Sequence, residues 1–139
     1  MILLDTNVVS ELMRPVPEPK VLLWLDAQPA ADIWISAVTV GEIRLGLALL
    51  PDGQRKERLA GLAEAMFQQD FSDACLSYDV LAAAEYAAIV ATRTRLGRPI
   101  SVEDAQIAAI ARSGGLTLAT RNTKDFADIE ELSLVNPWS

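Results

Sequence analysis

The stretch that decides the fold is MILLDTNVVS, residues 1–10, in which an apolar run meets Asp5, Thr6 and Asn7. A run this short and this continuously apolar is typical of a buried parallel strand, so we expect Ile2 to Leu4 to form one. Similar short apolar segments alternate with helical patterns along the rest of the chain. They predict a central, mainly parallel sheet of four to five strands with helices on both faces. The further strands are predicted over residues 33–36, 75–78, 116–119 and 132–135.

The helical segments are marked by apolar spacing and by proline and glycine at their ends. Asp79 is expected to cap a long alanine-rich helix. The helix that contains Leu45, Leu47 and Leu49 is apolar almost all round, which indicates burial in a core or an interface. The predicted helices span residues 8–13, 20–28, 39–50, 54–67, 80–96 and 102–113.

Composition limits the possible functions. The 139 residues suit one domain, and half of them are apolar, so a packed core is expected. One cysteine, Cys75, and the lack of a leader or a membrane-length apolar run predict a soluble, cytoplasmic protein. The chain contains no histidine, so any metal would be a hard cation held by carboxylate oxygens. A net charge of −7 argues against passive nucleic-acid binding but allows a metal-dependent nuclease.

Acidic or polar side chains follow the predicted strands at the edge where parallel α/β sheets bind ligands. Asp5 ends the first strand, while Glu42 and Asp104 lie near the starts of two helices. A fourth group, Asn122 and Asp125, follows the strand that ends at residue 119. Each acid also has a purely structural interpretation as a helix cap. These alternatives are an N-cap at Asp5, capping boxes at Thr39–Glu42 and Ser101–Asp104, and a helix cap at Asp125.

If the strand ends adjoin, Asp5, Glu42 and Asp104 share one pocket. Carboxylates about 5 Å apart repel by roughly 3 kcal/mol per pair at an effective dielectric constant of 20. Protons or a divalent cation would be needed to offset this repulsion, and Mg²⁺ or Mn²⁺ suits an all-oxygen site. A cation held in this way activates water and stabilises charge on phosphate, which favours hydrolysis of phosphodiesters over that of phosphomonoesters.

Five segments together resemble a known family. They are LLDTNVVSEL, ISAVTVGEIRLGL, VEDAQIAAIA, ATRNTKDF and VNPW, and they span essentially the whole chain in order. With these segments the chain resembles the PIN-domain ribonuclease toxins of the VapC group, close to the FitB-like branch. The resemblance implies a three-layer α/β/α PIN-like domain over residues 1–139, whose acidic pocket binds Mg²⁺ or Mn²⁺ and cleaves RNA.

The same resemblance implies roles for individual residues. Asp5 and Asp104 would be the principal metal ligands and catalytic acids, and Glu42 would complete the cluster. Thr6 and Asn7 would hold the pocket carboxylates by hydrogen bonds, although a helix-start turn explains them equally well.

One position departs from the FitB-like pattern, in which an aspartate can stand where this chain has Asn122. Asn122 is expected to contact water or phosphate, and Asp125 is a candidate fourth carboxylate. Arg121, or its neighbour Lys124, could meet substrate phosphates. The densest basic stretch holds Arg93, Arg95 and Arg98, of which the first two suit solvated charges at a helix end.

The resemblance also implies partners. These are the RNA substrate, a second copy of the chain in a homodimer, and a VapB- or FitA-like antitoxin whose tail would mask the acidic pocket.

Two other functions remain open from the sequence. A phosphatase-like or phosphoacceptor α/β protein would use Asp5 as a nucleophile, but the haloacid-dehalogenase-like pattern wants an acid where Asn7 stands. A catalytically silent module of the same fold would act only through its dimer and antitoxin surfaces. The intact set of Asp5, Glu42 and Asp104 argues against this silent module, and Asn122 keeps it possible.

Overall fold

Five short parallel strands form one sheet in the computed structural model, which describes residues 1–139. The first strand in sequence occupies the middle of the sheet, and the spatial order is β3-β2-β1-β4-β5. The strands are β1 (Ile2–Leu4), β2 (Ile33–Ser36), β3 (Cys75–Leu76), β4 (Thr117–Ala119) and β5 (Leu134–Val135).

Seven α-helices connect and cover the strands. A short 3₁₀ turn precedes β2, and a π-helical turn over Met66–Asp70 follows the fourth helix. No helix is long and apolar enough to cross a membrane. The helices are α1 (Thr6–Leu12), α2 (Pro19–Asp26), α3 (Ala37–Ala48), α4 (Gln54–Ala65), α5 (Val80–Arg95), α6 (Val102–Gly114) and α7 (Thr123–Phe126).

Two hydrophobic cores lie on opposite faces of the sheet, which confirms the predicted three-layer arrangement. Adjacent residues of β1 point to opposite faces, so Leu3 joins the core under α5 and α6 while Leu4 joins the core under α1 to α4. β4 shows the same alternation, with Leu118 in the first core and Ala119 in the second. Burial on both faces explains why these strands are apolar throughout.

The register of β1 and β4 sets up the site. Leu4 lies opposite Ala119, and the backbone N–H of Asp5 donates to the carbonyl of Ala119 at 2.9 Å. The residues that follow the two strands, Asp5 and Thr120, therefore emerge side by side at the carboxyl edge of the sheet.

Several boundaries differ from the sequence expectations. β3 ends at Leu76, two residues before the predicted end, and β5 contains only two residues. Asp79 caps α5 as expected, because its Oδ1 accepts the N–H of Ala82 at 2.9 Å. Burial of this helix in the core is incomplete: Leu45 on α3 and Leu49 directly after it are 60% and 76% exposed, since only one side of α3 faces the sheet and α4. The alternative, burial in an interface, stays a prediction.

Candidate active site

Asp5 is held at the carboxyl end of β1 by three donors. It is the N-cap of α1, where its Oδ1 accepts the backbone N–H of Thr6 at 2.8 Å. Its Oδ2 accepts the hydroxyl of Thr120 at 2.7 Å and the side-chain amide of Asn7 at 3.2 Å. Only 4% of Asp5 is exposed, so the carboxylate has one fixed orientation. The capping role and a functional role are therefore compatible in this residue.

The surroundings of Asp5 raise its pKa to about 6. Burial is the main cause, because it disfavours the charged form. The hydrogen bonds from Thr120 and Thr6 oppose this effect, and the charges of Asp104 and Glu42 add to it. The charges of Glu42 and Asp104 thus both act on Asp5, the most buried of the three predicted acids.

Glu42 lies in the second turn of α3, and its carboxylate faces α1. Its Oε1 accepts the hydroxyl of Thr6 at 2.7 Å. The predicted Thr39–Glu42 capping box is wrong, because the N-cap of α3 is Ser36, whose hydroxyl accepts the N–H of Thr39 at 3.1 Å. Thr39 is instead buried within the helix, with its hydroxyl 2.9 Å from that of Thr6. Glu42 is therefore oriented by α1 rather than by its own helix start.

Asp104 lies in the first turn of α6. Its backbone N–H donates to the hydroxyl of Ser101, the N-cap, at 3.1 Å, as the sequence spacing predicts. Burial raises the pKa of Asp104, and the Ser101 hydroxyl opposes that rise. The charge of Asp125 raises the pKa further, while that of Arg93 lowers it.

The fourth polar group lies around the start of α7. Asn122 is exposed at the N-cap position of α7, where its side chain makes no capping bond. Its backbone N–H donates to Thr120 Oγ1 at 3.1 Å. Asp125 lies inside α7, so its interpretation as a helix cap was wrong. Its charge raises the pKa of Asp104. Asp104 on α6 and Asp125 on α7 form the second half of the pocket, and Asp5 with Glu42 forms the first.

Three of the predicted basic residues have partners within the chain. The Arg121 guanidinium lies over the ring of Trp138, 5.1 Å from its centroid. Arg93 is not a solvated charge, as the sequence had suggested: only 5% of it is exposed, and it pairs with Asp128 at 2.9 Å. Arg98 pairs with the other oxygen of Asp128 at 2.8 Å.

Sequence analysis missed Thr120, which is completely buried and makes the shortest hydrogen bond to Asp5. The only available signal was its place directly after a predicted strand. That signal becomes informative once β4 is known to pair with β1.

A groove of about 450 Å³ runs from this site between α1, α3 and α4. Thr6 and Glu42 line its end nearest the acids, and Gly46 lies farther along α3. Several of its other lining residues are apolar, and three are arginines: Met13, Ile43, Leu47, Leu59, Arg14, Arg55 and Arg58.

The carboxylate oxygens of the site are ligands that suit a hard divalent cation, but they do not surround a metal position completely. No three carboxylate or thiol side chains form a group that could by itself hold a metal ion. Mg²⁺, however, usually keeps several waters and needs only one or two protein carboxylates together with substrate phosphates. Asp5 and Asp104, whose charges interact in a partly buried pocket, meet that requirement.

Comparison with known proteins places this site in a family. The family model for the PIN domain matches residues 2–132. The toxin FitB of Neisseria gonorrhoeae is 42% identical over 138 residues, which are 99% of each chain. The VapC ribonuclease Y4jK of Sinorhizobium fredii is 38% identical over 138 residues, which are 99% of this chain and 98% of the relative.

Solved structures agree with these relatives. The crystal structure of FitAcB from Neisseria gonorrhoeae has a TM-score of 0.86 and 41% identity, and covers 99% of both chains. A toxin–antitoxin complex from Klebsiella pneumoniae has a TM-score of 0.73 and 26% identity, covering all of this chain and 99% of that one.

Proposed function

The chain belongs to the PIN-domain family, in the group of the VapC and FitB toxins, and from this we propose that it is a metal-dependent endoribonuclease, the toxin of a toxin–antitoxin pair. The observation that carries the proposal is the buried Asp5 carboxylate, whose pKa is raised to about 6 by burial and by two further acids. A buried charge without a cation partner is costly, so the fold maintains an arrangement that a divalent cation would stabilise.

Asp5 and Asp104 would hold Mg²⁺ or Mn²⁺, and Glu42 would complete the ligand set from the α3 side. When bound, the cation supplies Lewis acidity toward a phosphate oxygen and toward water. Thr120, Thr6 and Asn7 orient the Asp5 carboxylate through their hydrogen bonds, as groups behind metal ligands commonly do.

The chain's own groups would also position the reactants. Asp5, fixed by its three donors, would orient the attacking water toward the phosphodiester. Asn122 is exposed at the start of α7 and would contact a phosphate or a water molecule. Arg121 is exposed beside the pocket, and the Trp138 ring beneath it would hold its guanidinium toward substrate phosphates.

Purified protein and total cellular RNA provide the direct test, with Mg²⁺, with Mn²⁺ and with EDTA. We expect cleavage at discrete sites that requires the metal and is lost in Asp5→Asn and Asp104→Asn. Gln106→Glu, a charge change on the same helix as Asp104, is the matched control and should cleave normally. Cleavage that survives EDTA or both substitutions would contradict the proposal. Absence of cleavage by folded wild-type protein would favour the silent binding module.

We further propose that the groove between α1, α3 and α4 receives an acidic, amphipathic segment of the antitoxin. Its apolar lining suits apolar side chains, while Arg55 and Arg58 take part in no ion pair within the chain and would meet acidic ones. Thr6 and Glu42 line the groove, and Thr6 is hydrogen-bonded to Asp5, so a segment that fills the groove reaches the edge of the acidic pocket.

Gly46 offers a test of this docking site. Gly46 lines the groove, and a Cβ added there would meet nothing within 4 Å, so a side chain at this position has open space at its base. Gly46→Leu should weaken antitoxin binding by about tenfold or more, because overpacking costs about 1–3 kcal/mol. Gly61→Leu, on α4 outside the groove and equally free of contacts, is the control. Equal affinities of the two variants would exclude this groove as the docking site.

A homodimer is also part of the proposal. Two exposed leucines, Leu45 on α3 and Leu49 directly after it, extend an apolar surface beyond the core. The mass of the antitoxin-free protein in solution, compared with that of Leu45→Glu, tests whether this surface joins two copies.

A further inference from the structure

Arg93 is a buried cation that ties three segments together next to the acidic pocket. It lies in the last turn of α5 and is 5% exposed. Its Nε donates to the carbonyl of Arg98 at 2.7 Å, in the loop between α5 and α6. Its Nη1 donates to the carbonyl of Asp125 at 2.8 Å and to the carboxylate of Asp128 at 2.9 Å. One guanidinium thus fixes the end of α5, the approach to α6, and α7.

These contacts need the planar, forked geometry of arginine. The three acceptors lie on two segments, the loop of Arg98 and the α7 region with Asp125 and Asp128, and two nitrogens of one rigid group donate to them. A lysine would keep the charge but would not span all three acceptors. Without this fork, the carbonyls of Arg98 and Asp125 would lose their donor, while Asp128 would keep only its ion pair with Arg98.

The two segments that Arg93 joins carry the two acids of the second half of the pocket. Asp104 follows the loop of Arg98 by one helical turn, at the start of α6. The backbone carbonyl of Asp125 accepts a hydrogen bond from the Arg93 guanidinium. The position of Asp125 relative to Asp104 therefore depends on the hydrogen bonds of Arg93 to backbone carbonyls, not on contacts of the two acidic side chains.

We propose that Arg93 is a positioning residue that holds Asp125, on α7, beside Asp104, on α6. It would thereby fix the relative position of these two carboxylates, which face a divalent cation together. This inference rests on the proposed function, because it concerns the same acidic pocket. The electrostatics agree with it: the charge of Asp125 raises the pKa of Asp104, and the charge of Arg93 lowers it.

The test compares two arginine variants in the full-length protein. Arg93→Lys removes the fork, and Arg112→Lys is the matched control. Arg112 also pairs with a carboxylate, that of Glu85, and also donates to a backbone carbonyl, that of Glu130, but it holds no acid of the pocket. Asp128→Asn weakens the same network from its other end and provides a second variant if Arg93→Lys folds poorly.

Two readouts are needed, and neither is activity. Amide hydrogen exchange of the metal-free protein should become faster over residues 122–129 in Arg93→Lys but not in Arg112→Lys. Mn²⁺ affinity, measured by electron paramagnetic resonance, should fall by about tenfold or more in Arg93→Lys, which is the usual effect of losing a group behind a metal ligand. Asp128→Asn should shift both readouts in the same direction.

A double variant separates positioning from a general loss of structure. If Arg93 acts through Asp125, then Arg93→Lys combined with Asp125→Ala should bind Mn²⁺ no more weakly than Asp125→Ala alone. Additive losses, or unchanged Mn²⁺ affinity in Arg93→Lys, would overturn this inference alone and leave the nuclease proposal standing. A wild-type protein that binds no Mn²⁺ would overturn both.

Discussion

Asp5 and Asp104 are both acids in the first turn region of a helix, yet the chain holds them in different ways. Asp5 is nearly fully buried, and side-chain and backbone donors fix both of its oxygens. Asp104 is half-buried, and what surrounds it is organised through backbone contacts and a distant guanidinium. The half of the pocket built on the central strands is thus rigid at the side-chain level, while the half built on α6 and α7 depends on how those helices are placed.

The largest expected effect comes from a comparison of two single variants, one that removes an acid from the Asp5 half of the pocket and one that removes an acid from the Asp104 half. Asp5→Asn should lower RNA cleavage by at least about a hundredfold, because loss of a ligand should exceed the effect of losing a group behind one. Asp125→Asn should lower it by about tenfold or less, because Asp125 is exposed and acts beside Asp104. Initial rates at saturating Mg²⁺ provide the measurement. Equal losses in the two variants would mean that the halves do not differ in importance.

Thr120→Val tests the rigidity of the Asp5 half alone. The substitution keeps the shape and removes the donor at 2.7 Å from the Asp5 carboxylate. We expect Mn²⁺ affinity to fall by about tenfold to a hundredfold, with a rise in the pKa of Asp5. Thr117→Val, at the start of the strand that Thr120 follows, is the control. Unchanged affinity in Thr120→Val would show that the Thr6 and Asn7 contacts suffice.

The pH dependence of stability should reveal the buried acid. The pKa of Asp5 lies at about 6, above its ordinary value, so between about pH 4 and pH 6 the folded protein binds this proton more tightly than the unfolded chain. Its contribution therefore lowers the free energy of unfolding as pH rises through this window, by at most about 3 kcal/mol, and the loss persists above it. Below about pH 4 the loss is absent.

Urea unfolding in EDTA at pH 4.5 and at pH 7.5 measures this effect. Asp5→Asn should be more stable than the wild type at pH 7.5, and the difference should shrink at pH 4.5. A constant difference between the two proteins would mean that Asp5 does not titrate in this range.

The smallest expected effect concerns the rim. Arg121→Ala removes the contact between the guanidinium and the Trp138 ring, a contact worth about 0.5–1 kcal/mol at an exposed site. We expect KM for RNA to rise by a fewfold with kcat unchanged, and Lys124→Ala provides the comparison. A fall in kcat would place Arg121 closer to the reacting phosphate than its exposure suggests.

The sequence predicted the central strands well because they are short, apolar and bounded by polar residues. Ile2–Leu4 and Ile33–Ser36 form strands over the predicted residues. The edge strands β3 and β5 were predicted too long. Their flanking residues are only partly buried or exposed, so the apolar residues among them do not mark a strand.

The sequence predicted the acids of the site but not the residues that hold them in place. Asp5, Glu42 and Asp104 stand out because acids are conspicuous after apolar strands. Thr120 and Arg93 act across 115 and 35 residues of chain, on Asp5 and Asp128 respectively, and no local pattern encodes such contacts. Glu42 was assigned a capping box from its spacing to Thr39. Ser36 stands three residues before Thr39, and spacing alone does not say which of the two begins the helix.

The pairing of β1 with β4 also has a consequence during synthesis. The strand β1, which leads into Asp5, cannot pair with β4 until residues 117–119 have been synthesised. The pocket therefore needs residues that are far apart in the sequence. Contacts of such long sequence separation form late, and a ribosome adds only about 5–20 residues per second. A nascent chain therefore carries Asp5 for seconds before Thr120, which supports it, has been made.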